Sequence, residues 1–452
     1  MAPSITFELH PDAAKSFNEK AEALIPLVGA VPVAGQQEGF QLQIHPRARI
    51  GEKDIIGEIE FGIADSHGKE VGRAFGQGGE TFGLVGQGFR DMVALATRLQ
   101  QVKSIRPYVS VRCLINAAFH WVKDRYRGAS KESFTDHVLR ECAQRVETVE
   151  IWIPLFSVYI ETEFSVGKVR FKTLTREMFD NYQQRVLDKV PEENRVAAKV
   201  ELERERSRFQ GCAAATIEVI AEPLRAGEIA AEEADYAIAA LRFFHPANGT
   251  PFFRSFCTVN GTENLSVSSL ITVREGVINQ WAKSSNLGVG SAWALPHRDI
   301  AMFQKAGLEA LGSLLAKRDR SPFENDLLDA FLIYSRNSLF DDLVNRLVHI
   351  LAAVESLLLR ENNEPIQKNI GERLAFVVGI TAEERMAIRD NVTQVYGLRS
   401  AFLHHGHALD EMEALEVFMQ NAWIGFLALI HDSDRYIAKE ELIAALERRK
   451  ME

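Results

Sequence analysis

The chain has 452 residues, of which 46% are hydrophobic and 25% charged, and 52 Lys+Arg against 62 Asp+Glu give a formal net charge of −10. That length exceeds what one core usually serves, so two or three domains are expected, and the composition excludes a disordered, collagen-like or low-complexity chain. The acidic balance argues against a histone-like coat for nucleic acid, whose non-specific binding is mostly a supply of cations, and leaves room for a local basic site.

In chain order, the first 80 or so residues mix short alternating stretches with glycine-rich punctuation, and Ile55-Ile56-Gly57-Glu58-Ile59-Glu60-Phe61-Gly62-Ile63 has the period of a half-buried strand. The glycine-rich stretch 76–88 precedes a helix but lacks Gly-x-Gly-x-x-Gly and the Walker pattern, so it reads as a flexible turn rather than a nucleotide cradle. Two amphipathic helices follow, with Phe89, Met92, Ala96 and Leu99, then Leu114, Ala117, Ala118 and Trp121, broken near Pro107; a third covers 132–146. Residues 149–160 and 169–172 are β-branched and aromatic and read as strands. Residues 176–209, rich in mixed-sign pairs, read as an exposed charged helix. Strand composition returns at 213–222, 252–259 and 265–274, with Asn260-Gly261 as a hairpin turn.

After about Pro296 the strand signal stops, and helical periodicity covers 299–317, 324–337, 339–359, 365–378, 382–403, 409–431 and 439–450. Thr381-Ala382-Glu383-Glu384 has the form of a capping box. The expected fold class is therefore α+β, a strand-rich mixed N-terminal region followed by an all-α C-terminal bundle. The expected regions are 1–146, 147–310 and 311–452.

The four cysteines, Cys113, Cys142, Cys212 and Cys257, form no Cys-x-x-Cys pair, so neither structural zinc nor a disulfide framework is expected. The first residues have neither a basic nor an apolar signal region, and the most apolar run, 347–359, is short of a membrane span. These features predict a cytoplasmic chain with no membrane partner and no cofactor. Ser291 lacks the flanking glycines of a nucleophile elbow, and there is no His-Glu-x-x-His.

The segment Tyr396-Gly397-Leu398-Arg399-Ser400-Ala401-Phe402-Leu403-His404-His405-Gly406-His407 carries the remaining chemistry. Arginine stays charged and can grip a phosphate with two parallel bonds, and histidine moves protons near neutrality. Together they suffice for metal-free RNA cleavage by the neighbouring 2′-hydroxyl. Five residues of ideal helix set Arg399 and His404 about 140° apart around the axis, so they converge only if the helix ends there or a second chain contributes. A purely structural pair at a helix end, favoured by the dipole, remains open, as does a His404, His405 and His407 metal site, a lesser option for want of a carboxylate or thiolate.

Three blocks in the C-terminal region, about 320–450, carry a resemblance: Leu351-Ala352-Ala353-Val354-Glu355-Ser356-Leu357-Leu358-Leu359, Ile370-Gly371-Glu372-Arg373-Leu374-Ala375-Phe376, and Val395-Tyr396-Gly397-Leu398-Arg399-Ser400-Ala401-Phe402-Leu403-His404. In order and spacing they resemble the Apea-like branch of the HEPN superfamily (higher eukaryotes and prokaryotes nucleotide-binding), whose motif is Arg-x(4-6)-His. The resemblance implies a bundle that pairs with a second copy and a metal-independent RNA endonuclease of defence or toxin type, with transfer RNA a candidate substrate and an unidentified trigger. It places Arg399 and His404 in the catalytic positions, with His405 inside the permitted spacing and Ser400 and His407 supporting RNA binding. Ser400 stands where active members often carry Asn, Asp or His. Glu355 and Arg373 match family positions and read as a pair holding the bundle together. The competing reading is a non-catalytic HEPN module that binds RNA or a nucleotide, or dimerises, within a larger assembly.

Overall fold

The computed structural model describes residues 5–31, 42–45, 48–50, 60–77, 80–259, 267–274, 277–284, 292–340, 342–360, 364–405 and 411–451, and the backbone alone at 42–45, 48–50, 267–274, 277–284 and 403–405. The fold is mixed, and among the described residues strands are confined to the region before His297, with helices alone from there to Arg449. The chain divides into two compact units, 1–151 with 218–230, and 152–217 with 231–452.

In the first unit α1 (Pro11–Glu22) leads to β1 (Gly29–Ala30), β2 (Leu42–His45), β3 (Ala48–Ile50), β4 (Glu60–Ala64), β5 (Glu70–Gln77) and β6 (Glu80–Val85), then to α2 (Gly86–Gln100), α3 (Val111–Tyr126) and α4 (Phe134–Gln144). Four of the strands form an antiparallel sheet in the order β1-β6-β5-β4. Its register pairs Ala74 with Gly83, and a side chain at Gly83 would run into the Arg73 carbonyl. This corrects the reading of 76–88 as a flexible turn, because most of it is strand, and its glycine at 83 serves close strand packing. Residues 51–59 and 78–79 lie outside the described residues, so only the end of the predicted strand at 55–63 is seen, as β4.

The helices form where the apolar stripes lie. α2 buries Phe89, Met92, Leu95, Ala96 and Leu99, and α3 buries Leu114, Ala117, Ala118 and Trp121. Trp121 meets Phe134 of α4 edge-on at 5.3 Å between ring centroids, and its indole N–H donates to the Glu132 carbonyl at 3.0 Å. The Glu222 carboxylate is buried and accepts N–H bonds from Ser110, Leu224 and Arg225, satisfying donors at two helix starts.

The strands β7 (Glu147–Phe156), β8 (Val158–Ile160), β9 (Phe164–Val166) and β10 (Val169–Thr173) precede α5 (Arg176–Lys189) and α6 (Arg195–Phe209). The segment read as one charged helix is thus two, since Pro191 cannot continue α5. Then come β11 (Ala213–Ala221) and α7 (Pro223–Phe243), the latter a 21-residue helix that the strand-like reading of this region missed. Until Ile238, Leu241 and Phe243 near its end, its buried positions are alanine, at 226, 230, 234 and 237, too weakly apolar to stand out.

A five-stranded sheet runs β12 (Thr258–Val259), β7, β11, β10, β9, while β13 (Val267–Arg274) pairs with β14 (Val277–Ser284), and β15 (Trp293–Leu295) lies parallel to β8. The predicted strand at 252–259 shrinks to its last two residues. The carbonyls of Thr250 and Phe253 are each taken by the Arg346 guanidinium at 3.1 Å instead of a strand partner. The Asn260-Gly261 turn and Ser291 lie outside the described residues.

The C-terminal helices are α8 (His297–Phe303), α9 (Glu309–Ala316), α10 (Pro322–Ser335), α11 (Leu343–Leu358), α12 (Ile366–Val378), α13 (Ala382–His405), α14 (Met412–His431) and α15 (Lys439–Arg449). A π-type turn, Gln304–Leu308, interrupts the first of the predicted helices, with Gly307 at φ 138°. The bundle core includes Phe323, Leu327, Phe331, Tyr334, Ile350, Leu357, Leu374, Val392, Val395, Phe418 and Phe426. Among the described residues α14 is the one helix long and apolar enough to cross a membrane; 44% of that stretch is buried inside the protein, with Phe418, Met419 and Ala422 fully enclosed.

Candidate functional site

Three helices of the bundle position the motif. α11 starts at Asp342, whose carboxylate accepts the Asn345 N–H at 2.8 Å. α13 starts with the predicted capping box: Thr381 Oγ1 accepts from the Glu384 N–H at 3.2 Å, and Glu384 Oε2 accepts from the N–H groups of Thr381 at 3.0 Å and Ile380 at 2.8 Å. From there α13 buries Ile388, Asn391, Val392 and Val395, and the Asn391 amide donates to the Ala414 carbonyl of α14 at 2.8 Å.

Residues 388, 392, 395 and 399 recur on one stripe of the helix, so the motif arginine occupies a position where the pattern calls for an apolar side chain. Arg399 is half-buried. Its Nε is enclosed and has no hydrogen-bond partner, and its guanidinium forms no ion pair among the described residues. One turn earlier on the same helix, the half-buried Tyr396 donates its hydroxyl to Glu355 Oε1 of α11 at 2.7 Å. Burial, together with this bond and the Glu355 charge, pushes the Tyr396 phenol well above its usual range, while the Arg399 charge pulls it down. The guanidinium is therefore within electrostatic reach of the phenol. Ser400 is exposed.

The helix does not end between the two motif residues: α13 runs unbroken from Ala382 to His405. Positions 399 and 404 therefore keep the angle of about 140° set by an ideal helix, and within one chain the helix backbone does not bring them to one side. The side chains of His404 and His405, and the whole of His407, lie outside the described residues.

Arg373 and Glu355, read as a pair, do not bond to each other. Arg373, 4% exposed, donates to Glu447 Oε1 at 3.0 Å, to Glu364 Oε2 at 2.6 Å and to the Leu358 carbonyl at 2.6 Å, a structural clamp with two carboxylates. Glu355 instead serves Tyr396. Sequence reasoning assigned Tyr396 no role, although its spacing of three from Arg399 makes the two helix neighbours.

A second titratable cluster, also unread, lies in the first unit. His120 Nδ1 meets Glu141 Oε1 at 2.9 Å and its Nε2 meets Glu60 at 3.4 Å, while His137 lies 3.3 Å from Glu132 and 3.4 Å from Glu141. The Glu141 bond raises the His120 pKa above its ordinary value. Lys123, Arg140 and Arg145 pair with the same carboxylates, so this is a charge-balanced network. Among the described residues no group of three or more His, Cys, Asp or Glu side chains is arranged to hold a metal ion. The four cysteines are free thiols, with Cys113 and Cys142 3.8 Å apart between sulfurs.

No family model, curated protein or solved structure matches this chain.

Proposed function

We propose that the chain is a HEPN-type, metal-independent RNA endonuclease of the antiviral or toxin kind, acting in the cytoplasm on RNA, with transfer RNA a candidate target. The N-terminal two-thirds would sense an unidentified trigger or restrain cleavage. The observation that carries this reading is Arg399: a half-buried guanidinium with no hydrogen-bond or ion-pair partner among the described residues, six residues before the end of α13 and five before His404. A charge left uncompensated in a partly desolvated position is costly unless an anion is to arrive, and a phosphodiester has the matching charge and geometry.

In the reaction, the 2′-hydroxyl oxygen attacks the adjacent phosphorus, its proton passes to a base, and the bond to the 5′-oxygen breaks as that oxygen takes up a proton. His404 would carry one of these proton transfers, and Arg399 would hold the non-bridging oxygens as charge builds on the phosphorane. Because the helix sets positions 399 and 404 about 140° apart, the cleft would combine Arg399 of one copy with His404 of another, in a homodimer through the C-terminal bundle. His405 would support or share the proton transfer, and Ser400 and His407 would line the RNA path.

The same angular separation favours the second reading, a non-catalytic module that binds RNA or a nucleotide, or dimerises. One assay separates them. Wild type and His404→Ala are incubated with total and transfer RNA in excess EDTA, and product ends are mapped. The nuclease reading expects 2′,3′-cyclic phosphate ends from wild type and a loss of rate of about 10²-fold or more in the variant. Silence from both proteins with RNA still bound would support the binding module.

A further inference from the structure

We propose that Tyr396 is a positioning residue: its hydroxyl holds the Glu355 carboxylate away from Arg399 and so keeps that guanidinium open to an RNA phosphate. This deepens the nuclease reading and rests on it for the identity of the ligand. The bundle supplies carboxylates to its other buried arginine on α12, since Arg373 is saturated by Glu364 and Glu447. Glu355 could serve Arg399 in the same way. It sits on α11, its Oε1 is already 2.7 Å from the Tyr396 hydroxyl, and Tyr396 and Arg399 are three residues apart on one helix, a spacing that makes their side chains neighbours. Yet Glu355 and Arg399 form no ion pair. The phenol is the group that Glu355 binds instead. Without it, the Glu355 carboxylate loses its side-chain partner, and a half-buried guanidinium one helix turn from the vacated phenol is the group with which a carboxylate would pair.

The consequence is a specific kinetic signature. A competing internal carboxylate lowers the fraction of protein ready to bind, which weakens apparent affinity without altering the complex once formed. Tyr396→Phe keeps the ring and removes only the hydroxyl. Tyr396→Phe with Glu355→Gln removes the competing charge as well.

The test measures KM and kcat on an RNA oligonucleotide in EDTA for wild type and both variants, and in parallel follows the side-chain Nε–H signal of Arg399 by NMR, assigned by its loss in Arg399→Lys. Tyr396→Phe is expected to raise KM roughly tenfold, the scale of one charge-assisted bond, with kcat within about twofold of wild type. The Arg399 signal should shift in the single variant, and the double variant should return both KM and signal toward wild type. A merely structural tyrosine would not be rescued by Glu355→Gln. An unchanged KM and signal in Tyr396→Phe, or a double variant no better than the single, would overturn the proposal. Should wild type neither bind nor cleave RNA, the nuclease reading fails, and the shift and recovery of the Arg399 signal still decide whether Tyr396 keeps Glu355 from Arg399.

Discussion

Two corners of the same helical bundle treat a buried arginine in opposite ways. Where α12 meets α15, Arg373 is 4% exposed and its guanidinium is met by two carboxylates and a backbone carbonyl. Where α11 meets α13, Arg399 is half-buried, its Nε is enclosed without a partner, and Glu355, the carboxylate that binds its helix neighbour Tyr396, forms no ion pair with it. Desolvating a charge is expensive in either place; the first arrangement offsets the cost from within, and the second does not offset it among the described residues. On the proposed reading, the comparison separates an arginine kept for the fold from one kept for a ligand, a distinction that residue type alone does not make.

The largest expected effect tests that split on stability. Arg373→Ala should destabilise the bundle by about 3 kcal/mol, the low end for a broken buried pair because Glu364 and Glu447 remain partly hydrated. Arg399→Ala should cost about 1 kcal/mol or less, limited to lost packing of the side-chain stem. Denaturant unfolding of the two variants compares them directly, and a large loss in Arg399→Ala would erase the contrast.

Acid sharpens it further. The Arg373 bond holds the Glu364 carboxyl below its ordinary value, and at Glu447 the bonds from Lys450 and Arg373 outweigh the opposing effect of burial. Groups with depressed folded pKa contribute stability that is present above the unfolded value of about 4.3 and lost as pH falls through the folded one. The melting temperature of wild type should therefore drop below about pH 4, and Arg373→Ala should show a shallower drop over the same window.

The first unit supplies a smaller effect of opposite sign. His120 has a raised pKa, first through its bond to Glu141. Its contribution is fully present below the unfolded value of about 6.5 and is lost as pH rises through the folded one. His120→Gln should flatten the decline of melting temperature above neutral pH, and an unchanged slope would remove the network from the pH response.

Much of the bundle was legible because its signals are local. Ile388, Val392 and Val395 repeat at helical spacing, and the Thr381 cap is visible four residues wide. The alanine face of α7 and the break at Pro191 were not read, the first because alanine barely marks a core face and the second because charge masked the end of one helix. At the site, the spacing of Arg399 and His404 could be read, as could the 140° problem it raises. The partners could not: Tyr396 meets Glu355 across 41 residues, and Arg373 meets Glu447 across 74, pairings that only helix packing decides.

The measurement that most directly tests whether Arg399 is held for an RNA phosphate is the EDTA cleavage assay on Arg399→Ala beside wild type, with folding of both confirmed by melting temperature. The expected result is a folded variant that has lost cleavage and the 2′,3′-cyclic phosphate ends that wild type leaves. A folded Arg399→Ala that cuts and binds RNA as wild type does would contradict it.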